Sequence, residues 1–323
     1  MNELLNYLPQ RVRIVLRNAR KEVLERIEEI RMRAGKPLMV QDRNRDWFVN
    51  TVGKLVLNNR DAFIINREDL EEAVALMSGN SVYAFQDEIR NGFITLNGGH
   101  RVGIAGKVVL DGNGIKNIRD ISGLNIRVSR EIPGCSSEVV RYILGNKDLI
   151  YNTLIISPPM CGKTTILRDV ARTLSDGIEE LGFDGAKVGI VDERSEIAAC
   201  FRGIPQNWVG VRTDVLDGCP KSLGMALMIR SMSPHVIVTD EIGGCGDCDA
   251  VMRVVNAGVK IIATAHGYNI SELKTRREVV TLIEEKVFDR YIVLSAQNGP
   301  GTLEEVIDGR TMAILYRRGQ KCL

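Results

Sequence analysis

One stretch constrains the chain more than any other: Thr153-Leu154-Ile155-Ile156-Ser157-Pro158-Pro159-Met160-Cys161-Gly162-Lys163-Thr164-Thr165. Its apolar run predicts a buried strand, and the prolines and glycine predict a tight turn. Ile166, Leu167, Val170, Ala171 and Leu174 then fall on one face of a helix. Strand, loop ending in Gly-Lys-Thr, and helix is the build of a phosphate-binding loop. Backbone N–H groups at such a helix start direct partial positive charge at an anion. Lys163 adds a full charge for the outer phosphates of ATP, and Thr164 offers a hydroxyl to Mg²⁺. The candidate nucleotide-binding segment is therefore Ser157, Pro158, Pro159, Met160, Cys161, Gly162, Lys163, Thr164 and Thr165.

Ser157 stands where the usual pattern has its first glycine, and with the two prolines it stiffens the loop. The tripeptide alone is equally compatible with an ordinary strand-to-helix turn. Gly106-Lys107-Val108 and Gly35-Lys36-Pro37 show that Gly-Lys recurs in the chain without a hydroxyl after it. The surrounding segments decide between the two readings.

At 323 residues the chain has room for two domains. Apolar content of 44% and charged content of 26% are those of a soluble globular protein. A net charge of +2 gives no bulk attraction to nucleic acid or membrane. No apolar run reaches the roughly 18 residues that a membrane span needs, and no signal-peptide core follows Met1-Asn2-Glu3, so a cytoplasmic chain is expected. Its seven scattered cysteines fit reduced thiols. Cys245-Gly246-Asp247-Cys248 is a lone C-x-x-C without the second pair that a structural zinc site needs.

Residues 1 to about 34 read as helical and charge-dense. Arg11, Arg13, Arg17, Arg20, Lys21, Arg26, Arg31 and Arg33 alternate with Glu22, Glu25, Glu28 and Glu29. The balancing glutamates favour a solvated face over contact with lipid headgroups or a partner. Residues 35–130 read as a small α+β domain, with short strands at 37–40 and 47–49. A helix capped by Asn66 carries Leu70, Ala73, Val74 and Met77 on one stripe, and a short helix is expected near 82–89. A hairpin joins 93–96 to 101–110 and places His100 and Arg101 at its turn, where they either reach a nucleotide held by the next domain or, more commonly for such residues, are solvated turn positions; a further strand ends near Val128.

A linker and a short helix over 136–144 lead into a region where strands and helices alternate, which predicts a mostly parallel sheet. The strand 187–191 delivers Asp192, Glu193 and Arg194 at its C-terminal end, where ligands sit in open α/β sheets. Residues 211–214 read as a loop, and 221–232 as a helix carrying Arg230. The apolar strand 235–239 ends in Asp240-Glu241. An acid there is placed to hold Mg²⁺, and its neighbour to polarise an attacking water. A strand over 259–265 ends at His266, placed to sense the γ-phosphate or fix the water. A long helix over 270–287 and closing strands at 290–294 and 311–316 complete the chain, with a turn at Asn298-Gly299-Pro300-Gly301 between them.

In this order the motifs resemble a known family. They are Gly99-His100-Arg101-Val102-Gly103, the Ser157–Thr165 loop, Val191-Asp192-Glu193-Arg194-Ser195-Glu196, Arg212-Thr213-Asp214-Val215-Leu216-Asp217, Ile229-Arg230-Ser231-Met232-Ser233-Pro234, Thr239-Asp240-Glu241-Ile242-Gly243 and Thr264-Ala265-His266-Gly267. The chain is similar over nearly its whole length to the stage III sporulation protein AA family, which itself resembles the ATPases of type II and type IV secretion and pilus systems. The resemblance implies an α/β fold: a RecA-like phosphate-loop ATPase domain at 149–323, a linker and short helix at 131–148, and a smaller α+β domain at 1–130. It implies a homo-hexamer with ATP between two lobes. It also implies a mother-cell protein peripheral to a membrane, docked on membrane proteins of the sporulation channel complex. Asp192-Glu193 matches the family's acidic box and His266 its histidine box. Arg194, Arg212 and Arg230 become candidates to reach phosphates, in the same or a neighbouring subunit.

The expectation is a Mg²⁺-dependent ATPase powering or assembling a channel. Lys163 holds the β/γ-phosphates, Thr164 and Asp240 the metal, and Glu241 the water, while Glu193 and His266 support or sense. A nucleic-acid-stimulated ring ATPase is the alternative, weakened by 5% aromatics and near-zero net charge. A nucleotide-gated scaffold with little hydrolysis is the other, kept open by Ser157.

Overall fold

A computed structural model of the protein describes residues 2–42, 45–79, 86–90, 92–112, 114–145 and 149–319. The chain divides into two compact units, Met1–Arg130 and Glu131–Leu323.

The first unit opens with three short helices, α1 (Asn2–Leu5), α2 (Gln10–Arg17) and α3 (Lys21–Leu24). Strands β1 (Ile27–Arg33), β2 (Met39–Asp42), β3 (Arg45–Val49) and β4 (Leu55–Val56) follow, then α4 (Arg67–Met77) and α5 (Gln86–Arg90). Three further strands, β5 (Phe93–Thr95), β6 (Arg101–Asp111) and β7 (Gly114–Arg127), close an antiparallel sheet ordered β4-β3-β2-β1-β7-β6-β5 among the described residues. The hairpin register pairs Phe93 with Gly103 and Thr95 with Arg101. At the start of α4 the Asp69 carboxylate accepts the Asn66 N–H at 2.8 Å.

Residues 1–34 are not one helical stretch. Helix ends at Leu24, and Ile27–Arg33 is a strand between β2 and β7. Ile30 and Met32 are fully buried while Arg31 and Arg33 point outward, which is strand periodicity. A bulge between Ile27 and Glu29 interrupts the alternation, so the charge density resembled a helix face. Glu29 is buried and accepts Asn125 Nδ2 at 3.2 Å beside the Arg31 guanidinium. His100 is likewise not a solvated turn residue. It is 7% exposed, and its Nδ1 accepts the Ser129 N–H at 3.1 Å. Arg101 stacks on Phe93 at 3.7 Å from the ring centre. Of the helix expected near 82–89, positions 82–85 lie outside the described residues, as do Asn113 and residues 320–323.

The second unit begins with α6 (Ser137–Ile143), β8 (Thr153–Ser157), α7 (Lys163–Asp176), β9 (Val188–Asp192) and β10 (Thr213–Asp217). It continues with α8 (Lys221–Ser231), β11 (Val236–Thr239), α9 (Cys245–Asn256) and β12 (Lys260–His266). The last elements are α10 (Ile270–Leu273), α11 (Arg277–Glu284), β13 (Arg290–Ser295), β14 (Thr302–Asp308) and β15 (Ile314–Arg317). The sheet order is β10-β9-β11-β12-β8-β13-β14-β15, parallel from β10 through β13 and antiparallel at β14 and β15. Every residue of β8, β9 and β11 is buried, as a parallel sheet covered on both faces requires. Ile155 points into the core beneath α6 and α7, whereas Leu154 and Ile156 point into the core beneath α8, α9 and α11.

Residues 131–145 fold with this unit. The Asp169 carboxylate accepts the Ser136 N–H and hydroxyl at 2.8 and 2.7 Å, and Val139, Val140 and Ile143 enter its core. Three further segments depart from the sequence reading. Positions 211–214 are expected as loop, but Thr213 and Asp214 open the edge strand β10, whose half-exposed Thr-Asp-Val-Leu-Asp pattern has no apolar run to announce it. The helix expected over 270–287 is broken at 274–276, where the Thr275 hydroxyl takes the Glu272 carbonyl at 2.7 Å. Strand β14 had no counterpart, and β15 starts at Ile314 because Asp308 Oδ1 accepts the Thr311 N–H and hydroxyl, both at 2.9 Å, in a turn. No helix among the described residues is long and apolar enough to cross a membrane.

Burial pushes the His100 pKa down to about 4, so the folded first unit holds it neutral. An unfolded histidine protonates near pH 6.5, so this contribution is present above about 6.5 and is lost as pH falls toward 4. Urea unfolding followed by Trp47 fluorescence in a Trp208→Phe background should weaken across that window by on the order of 1 kcal/mol per pH unit. His100→Gln should flatten the slope.

Candidate active site

In a parallel sheet the strand ends share one edge, and the register fixes which residues meet there. Ser157 at the end of β8 pairs with His266 at the end of β12, and Thr239 of β11 pairs with Ala263 and Val191. Asp240 and Glu241 therefore emerge beside the phosphate loop, with Asp192, Glu193 and Arg194 one strand further on.

The loop places Gly162 at φ +79°, and α7 starts at Lys163. A side chain at Gly162 would meet the Gly301 nitrogen and the Pro300 side chain at 3.0 Å, because the β13–β14 turn lies against the loop. The Gly301 N–H donates to the Cys161 carbonyl at 2.7 Å and fixes that contact. Ser157 is the fully buried last residue of β8, and its φ is not in the left-handed region. The positive dihedrals fall instead on Met160 and Gly162. Glycine is thus not required at position 157.

Charged groups pair across the cleft. Lys163 is buried, and its Nζ lies 3.0 Å from His266 Nδ1. With the ammonium as donor, Nδ1 accepts and the ring proton sits on Nε2, which faces Glu241 Oε1 at 3.3 Å. The other oxygen of Glu241 takes Arg194 Nη1 at 2.7 Å. Burial lowers the Lys163 pKa, opposed by Asp240 and Glu241. The Thr164 hydroxyl donates to Asp240 Oδ2 at 2.7 Å. A hydroxyl and a carboxylate beside a phosphate cradle are the hard oxygen donors, few in number, that Mg²⁺ takes from a protein.

A buried carboxylate shapes the rest of the cleft. Asp192 accepts N–H bonds from Glu196, Ile197 and Ala198 at 2.8, 3.0 and 2.8 Å, which folds the following loop around it. Burial raises its pKa to about 6 against those donors. Glu193 pairs with the buried Lys221 at the start of α8.

The profile of the family described as "Sporulation stage III, protein AA" matches residues 1–314. The chain belongs to that family. A curated relative, stage III sporulation protein AA of Bacillus subtilis (strain 168), is 42% identical over 308 residues, covering 95% of each chain. Among solved structures, the ATPase DotB of Legionella pneumophila superposes with a TM-score of 0.58 at 14% identity, over 94% of this chain and 83% of that one. The pilus retraction motor PilT with bound ADP gives 0.53 at 15% identity, over 84% and 76%. The fold is that of RecA-like secretion ATPases, with a mostly parallel sheet.

The nine loop positions from Ser157 to Thr165, Asp240, Glu241, Glu193, Arg194 and His266 meet at one sheet edge. Arg212 and Arg230 do not join them in this chain. The Arg212 guanidinium donates to the Ser175 carbonyl at 2.6 Å and so caps the end of α7. Arg230 is exposed in the last turn of α8, which leads to the opposite end of β11. Lys221, Thr264 and the 298–301 turn also line the site, although the sequence reading gives none of them a role: Thr264 stands only as the first position of the motif that carries His266, and 298–301 only as a turn. Lys221 follows β10, a strand too polar to be read, and Thr264 is one buried hydroxyl in an apolar run.

Two substitutions test this description of the loop. Ser157→Gly should cost only roughly 0.5–1 kcal/mol in urea unfolding, the entropy of a strand glycine. Gly162→Ala should cost more, on the order of 1–3 kcal/mol, from strain against the 298–301 turn.

Proposed function

We propose that the chain is a Mg²⁺-dependent ATPase that powers or assembles a secretion-like channel complex between mother cell and forespore. The observation that carries this reading is the Thr164–Asp240 contact beside Lys163, with Glu241 one residue away. In this role Lys163 leaves His266 to neutralise the β/γ-phosphates, while the amides at the start of α7 bind their oxygens. Thr164 and Asp240 would hold Mg²⁺, which when bound supplies charge neutralisation on the phosphates. Glu241 would orient the attacking water and accept its proton. His266 bridges Lys163 and Glu241, so it is placed to transmit phosphate occupancy to the acid. Glu193, neutralised by Lys221, would support the cleft.

Family membership supports the sporulation setting, and the fold shared with DotB and PilT supports the ATPase class. By the same likeness the chain would act as a homo-hexamer, peripheral to a membrane and docked on membrane proteins of the channel. Arg194 would serve within the subunit. Arg230, exposed and remote from its own site, is the candidate to reach a neighbour's nucleotide, and Arg212 is committed to the end of α7. Ser157 gives a non-hydrolysing scaffold no particular support, since its backbone is ordinary.

Lys163→Ala should abolish binding of a fluorescent ATP analogue while the thermal unfolding profile stays close to wild type. Undiminished binding in this variant would remove Lys163 from the phosphate site.

A further inference from the structure

We propose that Thr264 is the positioning residue that fixes Asp240 and Glu241 relative to each other, through one buried hydroxyl bonded to both. This rests on the ATPase reading given above.

Thr264 lies on β12, beside Ile155 of the neighbouring β8 and one position beyond the Ala263–Thr239 pair that ties β12 to β11. It is fully buried. Its hydroxyl donates to Asp240 Oδ1, while Thr164 donates to Oδ2, so each carboxylate oxygen has its own hydroxyl donor. The same Thr264 oxygen accepts the Glu241 N–H at 2.8 Å, and the Thr264 carbonyl accepts the Ile242 N–H at 2.8 Å. A hydroxyl has one proton to give and lone pairs to receive, and this one uses both in different directions. The proton goes to the acid assigned to the metal and the lone pair to the backbone of the acid assigned to water.

Glu241 needs that anchor. Its φ is +48°, a left-handed conformation that a non-glycine residue keeps only where its surroundings impose it. The bond to its N–H supplies part of that constraint and so aims the side chain at His266 and Arg194. Removing the hydroxyl leaves a carboxylate oxygen and an amide without this partner while the β-branched shape is kept.

Shape and hydroxyl can be separated. Thr264→Val keeps the shape and loses the hydroxyl, whereas Thr264→Ser keeps the hydroxyl and loses a methyl. The full chain and both variants are compared for ATP turnover, for affinity toward a fluorescent ATP analogue with Mg²⁺ and with EDTA, and for thermal unfolding. Thr264→Val should lower kcat by about 10- to 100-fold, the effect of losing a partner that orients a metal-site carboxylate. Its affinity in EDTA should stay within about twofold of wild type, and the gain in affinity on adding Mg²⁺ should shrink. Thr264→Ser should retain most of both the turnover and the Mg²⁺-linked gain. Wild-type values in Thr264→Val, or a Thr264→Ser variant as impaired as Thr264→Val, overturn the proposal. If Thr264→Val does not fold, Thr264→Ala takes its place, and failure of both to fold makes the hydroxyl a folding requirement and overturns it too. A wild-type chain that binds nucleotide without turnover leaves the Mg²⁺-linked affinity to decide. A wild-type chain that binds no nucleotide refutes the ATPase reading itself, and this inference with it.

Discussion

The register between β8, β12 and β11 is the constraint on which the site depends. Strand pairing sets Ser157 against His266 and Ala263 against Thr239, and each pair fixes where the next residue leaves the sheet. A slip of one residue would turn every side chain to the other face. The apolar faces prevent that slip. Ile155 is committed to one core and Leu154 and Ile156 to the other, so hydrophobic burial far from the cleft holds Lys163, Asp240 and His266 within hydrogen-bond reach of their partners.

At that edge the charges are arranged in sequence. Lys163, His266, Glu241 and Arg194 form one chain of contacts, and Thr164, Asp240 and Thr264 form another. The two meet at the adjacent acids, Asp240 and Glu241. In a partly buried cleft such pairs offset the cost of desolvating each charge, and under the proposed function they are what an incoming phosphate would displace. An anion that takes Lys163 from His266 changes the surroundings of Glu241 through a single imidazole. In the proposed function, that route would couple phosphate occupancy to the acid.

Much of this was legible in the sequence where burial is strong. The continuous apolar runs of β8, β9, β11 and β12 announced parallel strands, and their polar ends announced the cleft. Less was legible where secondary structure is set by neighbours. Ile27–Arg33 is charged on one face and becomes a strand because β2 and β7 flank it, and β10 is polar because it lies at an edge. The missed β10 also hid Lys221, whose place in the cleft follows from the strand before it. Contacts made by single hydroxyls or by a turn remote in sequence, as at Thr264 and 298–301, leave no periodic trace.

The measurement that bears most directly on the central claim is phosphate release from Mg-ATP by the full chain, run beside Glu241→Gln. The account predicts steady release by the wild type and its loss in Glu241→Gln, with ATP binding retained in both. Release that persists undiminished in Glu241→Gln would contradict the placement of the water-positioning acid and shift that role to Glu193.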